Sequence, residues 1–265
     1  MVVTESVSAF DPPTYDAVYA SFRGDVPHVL EVMRQAGGRV LEVCCGNGRL
    51  LIPALEAGVE VDGLDLHEPM LDDLRRKLVG RPLSSHLFHA DMRDFTVPDR
   101  YALILIAFNS FYHNLTQQDQ LATLRRCRRH LAEGGRLAIV AFHPSAPIMI
   151  KFGAGEPVLT ETARDDGILR VYDHAAQDRV EQISTITRRI EYLDRAGTIT
   201  RAENASFQIR YVFKPEMELL LRVAGFTRWE TRPLFTDYRD AASGVRGRPA
   251  AEGDHLLYTA WNEAP

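Results

Sequence analysis

The stretch LEVCCGNGRL, Leu41 to Leu50, carries a β-rich run into a glycine turn just where a helix should begin. Glycine lets the backbone take left-handed angles and lets a ligand approach closely, while a helix start presents N–H groups that have no partner inside the helix. A dinucleotide turn, G-x-G-x-x-G, ends on a third glycine so that helix and strand can touch. Gly46 and Gly48 fit that pattern, but Leu51 stands at the third place. The turn points to a nucleoside-type ligand and speaks against a nicotinamide dinucleotide.

Outward from the turn, strand-like and helix-like segments alternate, the pattern of a parallel sheet with helices on its faces. Arg39 to Val43 reads as a strand, Gly48 to Ala57 as a helix, Val59 to Leu64 as a strand and Pro69 to Leu78 as a helix. The series continues with strands near Ser85 to His89 and at Tyr101 to Phe108, the helix Gln117 to Leu131, a stop at Gly134-Gly135, and the strand Arg136 to Phe142. Between Pro144 and Pro215 the rhythm changes. Val180 to Leu193 and Thr198 to Phe213 are long β-rich segments joined through Arg195-Ala196-Gly197, a hairpin turn. Phe207, Ile209, Tyr211 and Phe213 alternate with Ser206, Gln208 and Arg210, so an inserted antiparallel sheet is expected. Pro215 to Ala224, closed by Gly225, is expected to be a helix, followed by strands at Phe226 to Arg232 and His255 to Asn262, with a loop from Asp240 to Gly253.

Three acids sit in or just after successive strands: Glu42, Asp65 and Asp91. A carboxylate in the place of Asp65 accepts hydrogen bonds from ribose hydroxyls. The set suits a ligand with hydroxyls, an amine and positive charge, and would repel one rich in phosphate. On these residues the sequence resembles the class I S-adenosylmethionine-dependent methyltransferases, from about Tyr15 onward. The resemblance implies that Glu42, Gly46 and Gly48 hold the methionine end of the cofactor, with Cys44 in the place of a glycine. It implies too that Asp65 holds the ribose, Leu66 and Met70 flank the adenine, and Asp91 with the Met92 backbone reads its amine. The fold it implies is α/β: a Rossmann-like, seven-stranded, mostly parallel sheet with helices on both faces and a small antiparallel β insertion. Residues 1–38 would form an amino-terminal helical lid, 39–143 the cofactor-binding core, 144–213 the insertion over the acceptor site, and 214–265 the completion of the core sheet.

The segment AFNSFYHN, Ala107 to Asn114, follows the fourth strand of the core. It is similar to the Asn-Ser-Phe-x-His stretch of small-molecule N-methyltransferases of the glycine N-methyltransferase-like type. The resemblance implies Phe108 beside the cofactor, Asn109 holding acceptor or methionine group, and Tyr112 near the acceptor. His113 would face the reaction as general base or as an orienting group. His143 ends the fifth strand on the same edge and Arg210 lies in the insertion; both are candidate acceptor contacts. Tyr15 and Tyr19 resemble a lid that covers the cofactor, and an amphipathic helix capping the sheet would use the same pattern.

Composition narrows the rest. Lys plus Arg number 31 against 36 acids, a net charge of −5, which argues against a protein held by nucleic-acid phosphates. The cluster Arg125, Arg126, Arg128 and Arg129 reads as a solvated helix face. The 3 cysteines, Cys44, Cys45 and Cys127, lack zinc spacing, so no metal is expected, and a reducing cytoplasm suits them. No membrane partner is expected, and the exposed strand edges of the insertion favour a homodimer. The expected activity is methyl transfer from S-adenosylmethionine to a small-molecule acceptor, nitrogen before oxygen, in metabolite or natural-product biosynthesis. Two alternatives stay open at this point: a sulfonium-assisted cyclisation or isomerisation, and a non-catalytic binder of the same cofactor.

Overall fold

The computed structural model describes residues 4–6, 10–19, 23–145, 149–150, 158–235 and 255–262. The loop expected at Asp240 to Gly253 lies outside them. In chain order the strands are β1 Thr4–Ser6, β2 Val40–Val43, β3 Val61–Asp65, β4 Leu87–His89, β5 Tyr101–Ile106 and β6 Leu131–Phe142, then β7 Val158–Arg164, β8 Gly167–Asp178, β9 Ile183–Asp194, β10 Ile199–Arg210, β11 Arg228–Phe235 and β12 His255–Trp261. The helices are α1 Pro12–Tyr19, α2 Val26–Arg34, α3 Leu51–Glu56, α4 Glu68–Leu78, α5 Gln117–His130 and α6 Lys214–Val223. The chain divides into two compact units, one of residues 23–143 with 212–265 and one of residues 1–22 with 144–211.

The first unit holds the seven-stranded sheet, ordered β11-β12-β6-β5-β2-β3-β4. Its strands are parallel except β12, which runs antiparallel to both β6 and β11. Every residue of β2 is buried, as expected where helices cover both sheet faces. Helix starts follow local chemistry. Thr116 caps α5 by accepting from the Asp119 amide at 3.0 Å, and α4 carries Pro69 in its first turn and Arg75, Arg76 and Lys77 in its last.

Most boundaries shift by one to three residues, α3 for example starting at Leu51 instead of Gly48, and two departures have a plain backbone cause. Strand β5 ends at Ile106 instead of Phe108, because Phe108 and Asn109 take left-handed angles (φ 55 and 65). The Gly134-Gly135 pair is not a stop ahead of the next strand. Helix α5 gives way directly to β6 at Leu131, and the pairing jumps from Leu131 opposite Tyr101 to Arg136 opposite Leu103. The glycines therefore lie in a bulge, where Gly134 has φ 69.

The second unit is a five-stranded sheet ordered β1-β10-β9-β8-β7. Strands β7 to β10 form an antiparallel series, and β1 adds in parallel to β10. The hairpin expected from sequence is β9–β10; β7 and β8 come in addition. The expected lid of residues 1–38 is split: residues 1–22 belong with this sheet, and α2 belongs with the other unit. Helix α1 packs Val18 against Leu169, Val171 and Ile190. It is pinned by the Thr14 hydroxyl, which donates to Glu203 Oε2 at 3.0 Å. Arg188, buried, makes two bonds to Asp173 at 2.7 and 2.8 Å and donates to the Tyr19 hydroxyl at 3.1 Å. Among the described residues no helix is long and apolar enough to cross a membrane.

Candidate functional site

Because β2, β3, β4 and β5 are parallel, their carboxyl ends share one sheet edge, and the chain order reverses between β2 and β5. That is where open α/β sheets bind ligands. The turn after β2 has left-handed residues at Cys44, Gly46 and Gly48 (φ 61, 55 and 90). The two glycines serve different ends. A Cβ on Gly46 would meet nothing within 4 Å, whereas one on Gly48 would lie 2.4 Å from Leu74 Cδ1. Gly46 leaves room for a ligand, and Gly48 lets α4 pack. The missing third glycine is replaced across the interface: a Cβ on Gly63 of β3 would lie 2.8 Å from Leu51 Cδ1, so the strand supplies the small residue.

Asp65, at the end of β3, accepts from the Gly46 amide at 2.8 Å and from the His67 amide at 2.8 Å. Burial raises its pKa against the lowering by these bonds. One strand over, Glu42 is 3 % exposed, and its Oε2 has no hydrogen-bond partner. Burial pushes its pKa up to about 8; Arg49 opposes this, and Asp65 and Asp25 add to it. A buried carboxyl with an unmatched oxygen, beside a turn with open space at Gly46, fits a ligand that brings its own N–H and positive charge. The ammonium of S-adenosylmethionine is such a group.

Leu66 follows Asp65 with 60 % exposure, an apolar side chain at the site edge. Met70, expected with it at the adenine, is buried on the inner stripe of α4, so of the two only Leu66 offers an open face. Asp91 is already engaged. Arg93 donates to it from its backbone at 2.8 Å and from Nη2 at 2.6 Å, and this hydrogen bonding holds the carboxyl below its ordinary range. Met92 Sδ accepts from Cys44 Sγ at 3.8 Å and from Asn114 Nδ2 at 3.5 Å, which ties the turns after β2, β4 and β5 together. Burial raises the Cys44 thiol well above its usual pKa, as it does for Cys45, so both are small neutral packing groups.

After β5 the Asn109 side chain accepts from the Phe142 amide at 2.7 Å, fastening this turn to the end of β6. A short 3-10 turn, Ser110–His113, follows. Tyr112, expected at the acceptor, is fully buried, and its hydroxyl donates to the carbonyls of Phe142 at 2.8 Å and Val212 at 3.3 Å. It is a strut between the two, since its one proton is committed to backbone. His113 and His143 are both partly exposed at this edge.

Two residues that sequence reading passed over complete the site. Arg49 makes a bidentate pair with buried Asp25, at 2.7 and 2.6 Å, and stacks 4.0 Å from the Phe108 ring centroid. Its position directly after Gly48 was the available signal; the Asp25 partner, 24 residues upstream, gave none. In the second unit, Tyr15 and Tyr19 stack with centroids 4.6 Å apart, and Arg210 is buried with Nη2 donating to Gln182 Oε1 at 3.2 Å. Asp62, His86 and Asp99 lie close enough to hold a metal ion, but Arg39 already reaches all three, at 3.0, 3.0 and 2.8 Å.

A family model for a methyltransferase domain matches residues 40–135. The dTDP-3-amino-3,6-dideoxy-alpha-D-glucopyranose N,N-dimethyltransferase of Streptomyces fradiae is 32 % identical over 220 residues, 81 % of this chain and 74 % of that protein. The cypemycin N-terminal methyltransferase of a Streptomyces species is 32 % identical over 99 residues, 37 % of this chain and 40 % of that protein. Among solved structures, the CcbJ methyltransferase of Streptomyces caelestis superposes with a TM-score of 0.72 at 21 % identity, over 97 % of this chain and 99 % of that one. The sugar N-methyltransferase KedS8 of Streptoalloteichus does so with a TM-score of 0.70 at 18 % identity, over 100 % and 97 %. These two likenesses establish the fold.

Proposed function

The chain belongs to the S-adenosylmethionine-dependent methyltransferases, and from that membership we propose that its acceptor is the amino nitrogen of a nucleotide-linked sugar in natural-product biosynthesis. The similarity to the amino-sugar dimethyltransferase, which spans four-fifths of the chain, carries this reading. The cypemycin enzyme is named an N-terminal methyltransferase, and an amino terminus is an amine, so both relatives are named for nitrogen acceptors.

S-adenosylmethionine supplies a methyl group on a positively charged sulfur, open to in-line displacement by a lone pair. Glu42 receives the ammonium of the methionine end, and the Asp65 carboxylate keeps lone pairs for ribose hydroxyls while its other bonds hold the Gly46 turn. Leu66 covers the adenine. Asn109 and Phe108 form the floor on the acceptor side, and His113 orients the amine. A neutral amine brings its own lone pair and releases its proton to water afterwards, so alignment and exclusion of water carry the rate. Asp91 and Met92 as readers of the adenine and His143 as an acceptor contact belong to the same proposal and are separable by alanine variants.

The test is transfer of labelled methyl to dTDP-3-amino-3,6-dideoxy-α-D-glucopyranose, with free amino sugars, short peptides and phenols in parallel and products resolved by mass spectrometry. Mono- and dimethylated amino sugar is the expected result. Transfer to a hydroxyl with no amine accepted, or to the peptide alone, overturns the acceptor assignment.

A further inference from the structure

The Asp25–Arg49 pair is unlike the other ion pairs at the sheet edge. Arg39 holds acids at the opposite end of β3, and Arg93, itself exposed, spends its charge on half-buried partners. Arg49 is almost wholly buried, with a side chain 10 % exposed against 2 % for Asp25, and it stands between three segments. It follows the glycine turn in sequence, grips the residue preceding α2, and lies across the ring of Phe108, the first of the two left-handed residues after β5. Burying this pair costs desolvation of both charges, which neutral residues of the same shape would avoid. A chain that keeps it at the cofactor edge has a use for the charge.

We propose that Arg49, clamped by Asp25, is a positioning residue for the cofactor: it fixes the Phe108–Asn109 turn against the glycine turn and supplies the positive charge that acts on Glu42. The charged and titratable groups facing Glu42 are Arg49, Asp65 and Asp25, with the thiols of Cys44 and Cys45 beside it. Arg49 favours the ionised carboxylate, Asp25 and Asp65 oppose it, and the effect of Arg49 is larger than that of Asp25. The empty site then holds Glu42 mostly protonated at neutral pH, and binding of a ligand ammonium expels that proton. Arg49 makes the expulsion easier, and Asp25 sets how much of its charge is left to do so.

The test needs no acceptor, so the failure of the amino-sugar assignment would leave it standing. S-adenosylmethionine is titrated calorimetrically into the full chain across the neutral range, in buffers of different ionisation enthalpy, which counts protons released. The native protein is expected to release a proton around neutral pH. Arg49→Met should weaken binding on the order of tenfold at pH 7 and carry proton release to higher pH. Asp25→Asn should move the proton-release profile the opposite way. The double variant, with neither charge, removes the risk that one orphaned ion unfolds the protein, and it should follow Arg49→Met. Profiles that coincide in all four proteins, or a native protein that releases no proton, overturn the proposal and leave the pair a structural clamp.

Discussion

Each unit buries a glutamate in its sheet, and the two are held in different ways. Glu203, on β10, is fully buried and held from within its own unit: the Thr14 and Tyr192 hydroxyls donate to Oε2, at 3.0 and 3.4 Å, and Oε1, which accepts no hydrogen bond, is ion-paired with Arg201. Glu42, on β2, is nearly as buried and keeps an oxygen with no partner. A buried polar group costs free energy unless it is paired, so the difference lies in the partner of the oxygen that accepts no hydrogen bond: on Glu203 an arginine of the same sheet pairs with it, and on Glu42 no such ion pair is made. The first pins α1 to its sheet; the second is the residue proposed above to receive the ammonium of the cofactor.

That contrast is open to direct attack. The largest effect is expected for Glu203→Ala, which strands the buried Thr14 hydroxyl and the half-buried Tyr192 hydroxyl and should cost about 3 kcal/mol of unfolding free energy in denaturant melts. Glu42→Gln should do the reverse, leaving the fold intact while S-adenosylmethionine binding falls by about 2 kcal/mol in calorimetry. Asp65→Ala should cost roughly 1 to 3 kcal/mol of the same binding energy. Equal losses of stability from Glu42→Gln and Glu203→Ala would erase the distinction.

The pH response of the empty protein sharpens it. Glu42 binds its proton more tightly folded (about 8) than unfolded (4.5). Its contribution to stability is therefore complete below pH 4.5 and is lost as pH rises to about 8, a fall that Glu42→Gln should flatten in melts across that window. Within the glycine turn the same division recurs on a smaller scale. Gly48→Ala collides with Leu74 and should destabilise the fold by about 1 to 3 kcal/mol, whereas Gly46→Ala should cost about 1 kcal/mol of stability for its left-handed angle and weaken cofactor binding. The smallest effect is expected at His113. As an orienting group, His113→Asn should lower kcat about tenfold or less without removing a limb of the pH–rate profile; loss of a limb and a fall of about 100-fold would make it the base.

The two units also differ in how much their sequence discloses. In the core, strand, turn and helix lie within a few residues of each other, so Leu41 to Leu50 could be read locally, and Asp65 fell where the next strand had to end. The second sheet is assembled from distant pieces. Strand β8 carries Asp173, His174, Gln177 and Asp178 among its apolar residues and shows no clean alternation, and β1 is 3 residues that pair with a strand nearly two hundred residues away. The same limit applied at the site. Tyr112 looked available because its carbonyl partners, Phe142 and Val212, are remote in sequence, and Arg49 looked ordinary because Asp25 is. Local rules report what a residue prefers; they do not report which distant atom has already claimed it.

The exchange between Leu51 and Gly63 carries a lesson about inheritance. A helix and a strand that touch share one fixed volume, and either side can yield it; here the strand does. Selection then acts on the set of side chains that meet at Gly63, Leu51 together with Cys45 and Leu87, and no one of them is free to drift alone. A larger residue on the strand should therefore be tolerated only where the helix residue and the Cys45 thiol shrink or shift together. A linear pattern that insists on a third glycine would not see how this chain makes its helix–strand contact, because the small residue lies on another element.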